Sequence, residues 1–129
     1  MMKWIGALVA ATLLAACNPV AQAEDARAEV DRFHEMLNAE QDDAIWNRSS
    51  EELQSASSKD EFEQLMQTVR RTLGKAEETS QVGVRMNTNM QGSFTSVQME
   101  THFERGRAME TFVFKTVDDQ LRLVNYNIN

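Results

Sequence analysis

Hydrophobic residues recur along this chain with three different spacings, and each spacing predicts a different kind of segment. From Trp4 to Leu14 they are nearly continuous, broken only by Gly6 and Thr12. From Ala26 they return every three to four residues, at Val30, Phe33 and Leu37, with charges between, which predicts an amphipathic helix over residues 25–41. Residues 42–48 add a short helical turn that inserts Ile45 and Trp46, and residues 50–56 fit helix or loop equally well. Ser58 and Glu61 then form an S-x-x-E capping box ahead of an apolar stripe at Phe62, Leu65, Met66, Val69 and Leu73, and Gly74 supplies the stop.

From about Glu78 the period becomes two. Four strands follow, with turns at Gln91-Gly92, at Arg105-Gly106-Arg107 and at Asp118-Asp119. Closing these hairpins sets Met86 opposite Val97, Val84 opposite Met99 and Val82 opposite Thr101. A four-residue connection from Arg105 to Ala108 sets Met99 opposite Phe114 and Thr101 opposite Phe112. The last turn sets Phe114 opposite Leu123 and Thr116 opposite Leu121. All three registers place apolar partners on one face, as a buried face requires. On the reverse face they place Val113 opposite Val124, Thr111 opposite Tyr126 and Met109 opposite Ile128, beside Arg85, Gln98, Glu100, His102 and Glu104. That half-apolar face is either covered by the helices or offered to a second copy or another partner. Helices followed by an antiparallel four-stranded sheet define an α+β class, with two or three helices on the sheet in a single domain over residues 25–129.

The continuous apolar run has a different meaning. A basic start at Lys3, about 13 apolar or small residues and a small-residue end are the plan of a secretory signal peptide. The run is well short of the roughly 20 residues that span a bilayer as a helix. Ala21-Gln22-Ala23 offers an alternative cleavage site for an ordinary secreted protein. Leu14, Ala15, Ala16 and Cys17, however, resemble the lipobox of bacterial lipoproteins at every position. That resemblance implies a diacylglyceryl group on the Cys17 sulfur and cleavage before it, so that residues 1–16 are lost and Cys17 becomes the first mature residue. It also implies an outer-membrane rather than inner-membrane address, because Asn18 and not Asp follows the cysteine. Two or more acyl chains hold a protein firmly to a bilayer, whereas one binds reversibly. Residues 17–24, with the only proline and no pattern, then read as a tether reaching roughly 25 Å when extended.

Charge and cysteine content narrow the chemistry. Cys17 is the only cysteine, so intramolecular disulfides and thiolate metal sites are excluded. Thirteen Lys and Arg face 20 Asp and Glu, for a net charge of −7, and the leader removes one of the cations. Such acidity excludes ordinary nucleic-acid binding, which neutralises phosphates with Lys and Arg, and leaves membrane attachment to the lipid.

The mature chain also resembles small exported proteins of the nuclear-transport-factor-two-like (cystatin-like) kind, in which a curved sheet wraps helices into a cone. The stretches that carry this resemblance are Phe33-His34 with Leu37, Ile45-Trp46 with Glu52-Leu53, Val69-Arg70 with Leu73-Gly74, Phe103-Glu104-Arg105-Gly106 with Glu110-Thr111-Phe112, and Leu123 to Ile128. It implies a fold and brings no catalytic residues.

Candidate chemistry is sparse. His34-Glu35 begins like the H-E-x-x-H zinc signature, but Asn38 holds the second histidine's place and amides are poor zinc ligands. His34 falls beside the apolar stripe of the first helix, facing the core or the mouth of the cone. His102 shares a strand face with Glu100 and Glu104, a weak divalent-metal or acid–base candidate that lacks a further ligand from another element. No cofactor is implied. The sequence thus predicts a lipid-anchored α+β module facing the periplasm that acts through binding or envelope interaction, with a homodimer or an envelope protein as partner. The competing expectation is a small-molecule enzyme whose cone pocket uses His34 or His102 with a carboxylate. Cys17→Ser is expected to abolish labelling by a fatty-acid probe in cells, and a labelled variant would refute the lipid assignment.

Overall fold

A computed structural model describes residues 19–129, so Cys17 and the lipobox lie outside the described residues. Four helices precede four strands: α1 (Pro19–Asn38), α2 (Asp42–Arg48), α3 (Glu51–Ala56), α4 (Lys59–Leu73), β1 (Ala76–Asn89), β2 (Gly92–Phe103), β3 (Gly106–Val117) and β4 (Gln120–Ile128). The strands form one antiparallel sheet in the order β1-β2-β3-β4, so the α+β class holds. Among the described residues no helix is long and apolar enough to cross a membrane.

The helices follow their local chemistry. The Ser58 hydroxyl accepts from the Glu61 N–H at 3.1 Å while the Glu61 carboxylate accepts from the Ser58 N–H at 3.2 Å, so the expected capping box starts α4. Ser50 caps α3 by accepting from the Leu53 N–H, which resolves the ambiguous 50–56 stretch as helix. Helix α1 differs from expectation at both ends. Residues 19–24, read as a tether, are its opening turns. It stops at Asn38, where Glu40 adopts a positive φ of 60° and the Gln41 N–H reaches back to the Met36 carbonyl, a Schellman closure with glutamate in the usual glycine position.

Arg70 joins the helices, donating to both oxygens of Asp42 at 2.7 and 2.8 Å and to the Leu37 carbonyl at 3.1 Å. The helices cover one sheet face, and the core lies between Ala26, Val30, Phe33, Leu37, Phe62, Met66 and Val69 on one side and Val97, Met99, Phe103, Phe112, Phe114, Leu123 and Tyr126 on the other.

The strand registers are where expectation and structure part. The first hairpin turns on Met90-Gln91, pairing Asn89 with Gly92, so Val84 faces Val97 and Met86 faces Thr95. Val82 is then passed over by a bulge, and Thr79 faces Thr101 in its place. The second hairpin closes on Glu104-Arg105 alone, which sets Met99 opposite Glu110 and Thr101 opposite Ala108. The cause is α4. The Arg105 guanidinium donates to the Arg70, Arg71 and Thr72 carbonyls and its N–H to the Leu73 carbonyl, while the Glu104 carboxylate accepts from the Lys75 N–H. A cation on the negative end of the helix draws the turn tight. The third hairpin pairs Phe114 with Leu123 and Thr116 with Leu121, as expected. Beyond it a bulge skips Val124, so Val113 faces Asn125, Thr111 faces Asn127 and Phe112 faces Tyr126. The pairings of Val113 with Val124, Thr111 with Tyr126 and Met109 with Ile128 are therefore corrected: one extra residue reverses which face each later side chain meets.

Gly74 is required where the turn meets α4. Its φ is +82°, and a Cβ there would lie 2.6 Å from Glu104 Oε1 and 2.9 Å from Glu104 Cβ. Gly74→Ala is expected to cost about 1–3 kcal/mol in urea unfolding. Gly83→Ala, whose Cβ would come no nearer than 3.5 Å to Gln98, is expected to change stability by about 0.5 kcal/mol or less. Equal losses from the two would contradict this packing.

Candidate functional site in the groove between the first helix and the first strand

Even-numbered residues of β3 face the helices, and that alternation carries Glu110 inward between Ala108 and Phe112. It is fully buried. A carboxylate taken out of water is costly unless its oxygens are hydrogen-bonded, and three elements supply donors. From β2 the Thr101 hydroxyl donates to Oε1 at 2.5 Å, and from β4 the Tyr126 hydroxyl donates to Oε2 at 2.5 Å. From α1, His34 Nε2 lies 2.7 Å from Oε1. With Tyr126 and Thr101 both donating, Nε2–H is the tautomer that completes the set.

The ring cluster around this knot is aromatic. Phe33 packs on Phe112 and Tyr126 at centroid distances of 5.0 and 4.8 Å, and His34 stands edge-on to Phe103 and Phe112 at 6.3 and 6.0 Å. Burial, reinforced by the neighbouring Glu110 charge, pushes the Tyr126 phenol well above its ordinary range and keeps it a donor.

The knot reaches the surface through His34 and Thr79. The Thr101 proton is committed to Glu110, so the Thr79 hydroxyl, 2.7 Å from Thr101 Oγ1, is the donor between them. Thr79 and His34 both line the largest of the described cavities, a groove of about 720 Å³ between α1 and β1. Its walls are Asp31, Glu35 and Asn38 from α1 and residues 76–80 from β1, Glu77 and Glu78 among them. Asp31, Glu35, Glu77 and Glu78 take part in no ion pair among the described residues, and no Lys or Arg lines the groove. Asn38, in the place of a second zinc histidine, brackets Ala76 instead: Nδ2 donates to its carbonyl and Oδ1 accepts from its N–H, both at 2.9 Å.

The other residues singled out by the sequence fall elsewhere. Glu104 leaves the strand for the α4 turn, Glu100 pairs with Arg107 at 3.5 Å and His102 sits exposed opposite Arg107. These three do not converge, and no group of three metal-ligating side chains occurs among the described residues. Of the reverse-face set, Tyr126 is buried in the core and Ile128 packs against it, both turned inward by the Val124 bulge. Val113 is half-buried and Met109 is 38 % exposed.

Sequence reasoning missed Glu110 as well as the groove residues Asp31, Glu35, Glu77, Glu78 and Thr79. The alternation that turns Phe112 and Phe114 inward puts Glu110 on the same face, but a charged residue there reads as exposed until its partners are known.

Residues 29–126 match a family model described as "Protein of unknown function (DUF4019)". No curated protein matches the chain.

Tyr126 is the single tyrosine, which makes the knot observable. The unfolded phenol titrates near its ordinary value of 10.0, whereas the folded one is held higher. The unfolded state therefore loses its proton first, and stability that is intact below pH 10 falls as pH rises above it. Tyrosinate absorbance is expected to be absent from the folded protein at about pH 11 and to appear together with loss of far-UV circular dichroism. Ionisation ahead of unfolding would contradict a buried, bonded phenol.

Proposed function

The chain belongs to the DUF4019 family of proteins of unknown function, and from its lipobox sequence together with the groove we propose that it is a lipid-anchored binding module of the bacterial cell envelope whose recognition site is the groove between α1 and β1. Attachment is through the lipid on Cys17, with the domain facing the periplasm and the outer membrane favoured over the inner. The helices cradled on one sheet face suit a cystatin-like cone, with the groove at its edge.

The observation that carries the binding reading is the unpaired acidic lining over a rigid floor. Four carboxylates with no cation among them have room to meet a ligand, and beneath them His34 is fixed by Glu110 from the opposite side of its ring. Preorganised walls lower the ordering cost of association. The same dyad favours a second reading, general acid–base chemistry on a small molecule, in which Glu110 orients His34 as a carboxylate orients a catalytic histidine. The binding reading is preferred because the acidic field lies along the whole groove and is not focused on the ring.

A photo-crosslinking residue in place of Ser80 in the groove is expected to give a discrete adduct in intact cells, one that is lost when Glu77→Lys and Glu78→Lys are added. The same residue in place of Asn127, exposed on β4, is expected to give none. No adduct from position 80, or equal adducts from both, would overturn the groove as the recognition site.

A further inference from the structure

We infer that the occupant of this groove is an extended, basic polypeptide segment that adds to the outer edge of β1 as a fifth strand. The inference rests on the groove being the binding site and names the chemistry of what it holds.

The edge itself is the first observation. Strand β1 has β2 as its one neighbour in the sheet. Among the described residues, hydrogen bonds to its other edge come from the Asn38 side chain alone, at Ala76. That amide gives a donor to the carbonyl and an acceptor to the N–H of one residue, the pattern a paired antiparallel strand would supply. Asn38 therefore marks where a neighbouring strand would begin, and residues 77 onward continue without one. The opposite edge is treated differently. On β4 the Ser50 N–H donates to the Leu123 carbonyl at 2.9 Å and the segment joining α2 and α3 lies against it.

Charge selects the occupant. Asp31 and Glu35 on the helical wall and Glu77 and Glu78 on the strand would flank an added strand on both sides. A second copy of this chain, with net charge −7, would bring like charges together at the seam. Acidic residues and bulges at an edge are common defences against self-pairing, and here the bulges fall at Glu77 and Val82. The carboxylates repel an acidic strand while attracting a basic one, and between the two bulges residues 78–81 keep a regular ladder. Beyond the carboxylates the same edge exposes Val82 and Val84, at 52 % and 45 %. An extended segment with Lys or Arg alternating with aliphatic residues meets both, since main-chain bonds give affinity and alternate side chains give specificity in strand addition.

The test uses the full-length protein in detergent and an end-blocked ten-residue peptide of alternating lysine and valine, followed by fluorescence anisotropy. Saturable binding is expected, weakened about tenfold by 0.3 M salt and at least tenfold by Glu77→Lys with Glu78→Lys, two exposed positions. A peptide of the same charge with two consecutive central prolines, which removes a donor from each of its edges, is expected to lose binding. Equal binding of the proline peptide would overturn strand addition. Displacement by spermine at comparable concentration would make the groove a polyamine site and overturn the polypeptide occupant. No binding of the peptide would overturn the basic-strand assignment as well. In each of these cases an adduct at position 80 would leave the groove standing as the recognition site, and its absence would remove both.

Discussion

The buried carboxylate of Glu110 is the constraint around which this fold is arranged. Its burial is unfavourable by itself, and it is tolerated because β2, β4 and α1 each bring one donor to it. Each donor fixes something larger than a hydrogen bond. Thr101 ties β2 to β3 in the register that the end of α4 sets, Tyr126 ties β4 to β3 beyond its bulge, and His34 ties α1 to the sheet. Removing the carboxylate would strand three inward-pointing polar groups, a loss of about 3 kcal/mol or more before any cavity forms. A knot of this kind gives the core one arrangement where purely apolar residues would accept several.

The position of α1 makes the groove. With His34 tied inward, the helix presents Asp31, Glu35 and Asn38 toward the edge of β1, and Asn38 bonds Ala76 on both sides. At the far end, Arg70 holds Asp42 and the end of α1, and Arg105 holds the C-terminal carbonyls of the same helix that carries Arg70. Helices and hairpins are thus linked by charge at one end and by the Glu110 knot at the centre.

Much of this was legible in the sequence, and the rest was hidden for identifiable reasons. The α4 helix could be read because its capping box and stripe are local, and the Asp118-Asp119 turn because both residues tolerate the positive φ of 52° and 64° they adopt. The bulge at Val82 could not be read, because valine there continues the alternation through Val84 and Met86, whereas the bulge at Val124 left a mark in the adjacent apolar pair Leu123-Val124, where the apolar phase shifts from 121 and 123 to 124, 126 and 128. The Val124 bulge alone moved Tyr126 and Ile128 from an expected outer surface into the core. The tight second hairpin was hidden because its cause, the end of α4, lies 34 and 35 residues away in the chain. His34 was identified, but its partner was not, since a lone glutamate in a strand reads as exposed until the register places it among Phe112, Thr101 and Tyr126.

Glu110 holds His34 by its Nε2–H and so turns the other edge of the ring toward the groove. With two histidines in the chain, long-range ¹H–¹⁵N correlation spectra can assign the proton on each ring directly. His34 is expected to show a protonated Nε2, slow to exchange with solvent and lost as a distinct signal in Glu110→Gln, while His102 shows an exposed, exchanging ring. A His34 ring protonated at Nδ1 alone, or one as exchangeable as His102, would contradict it.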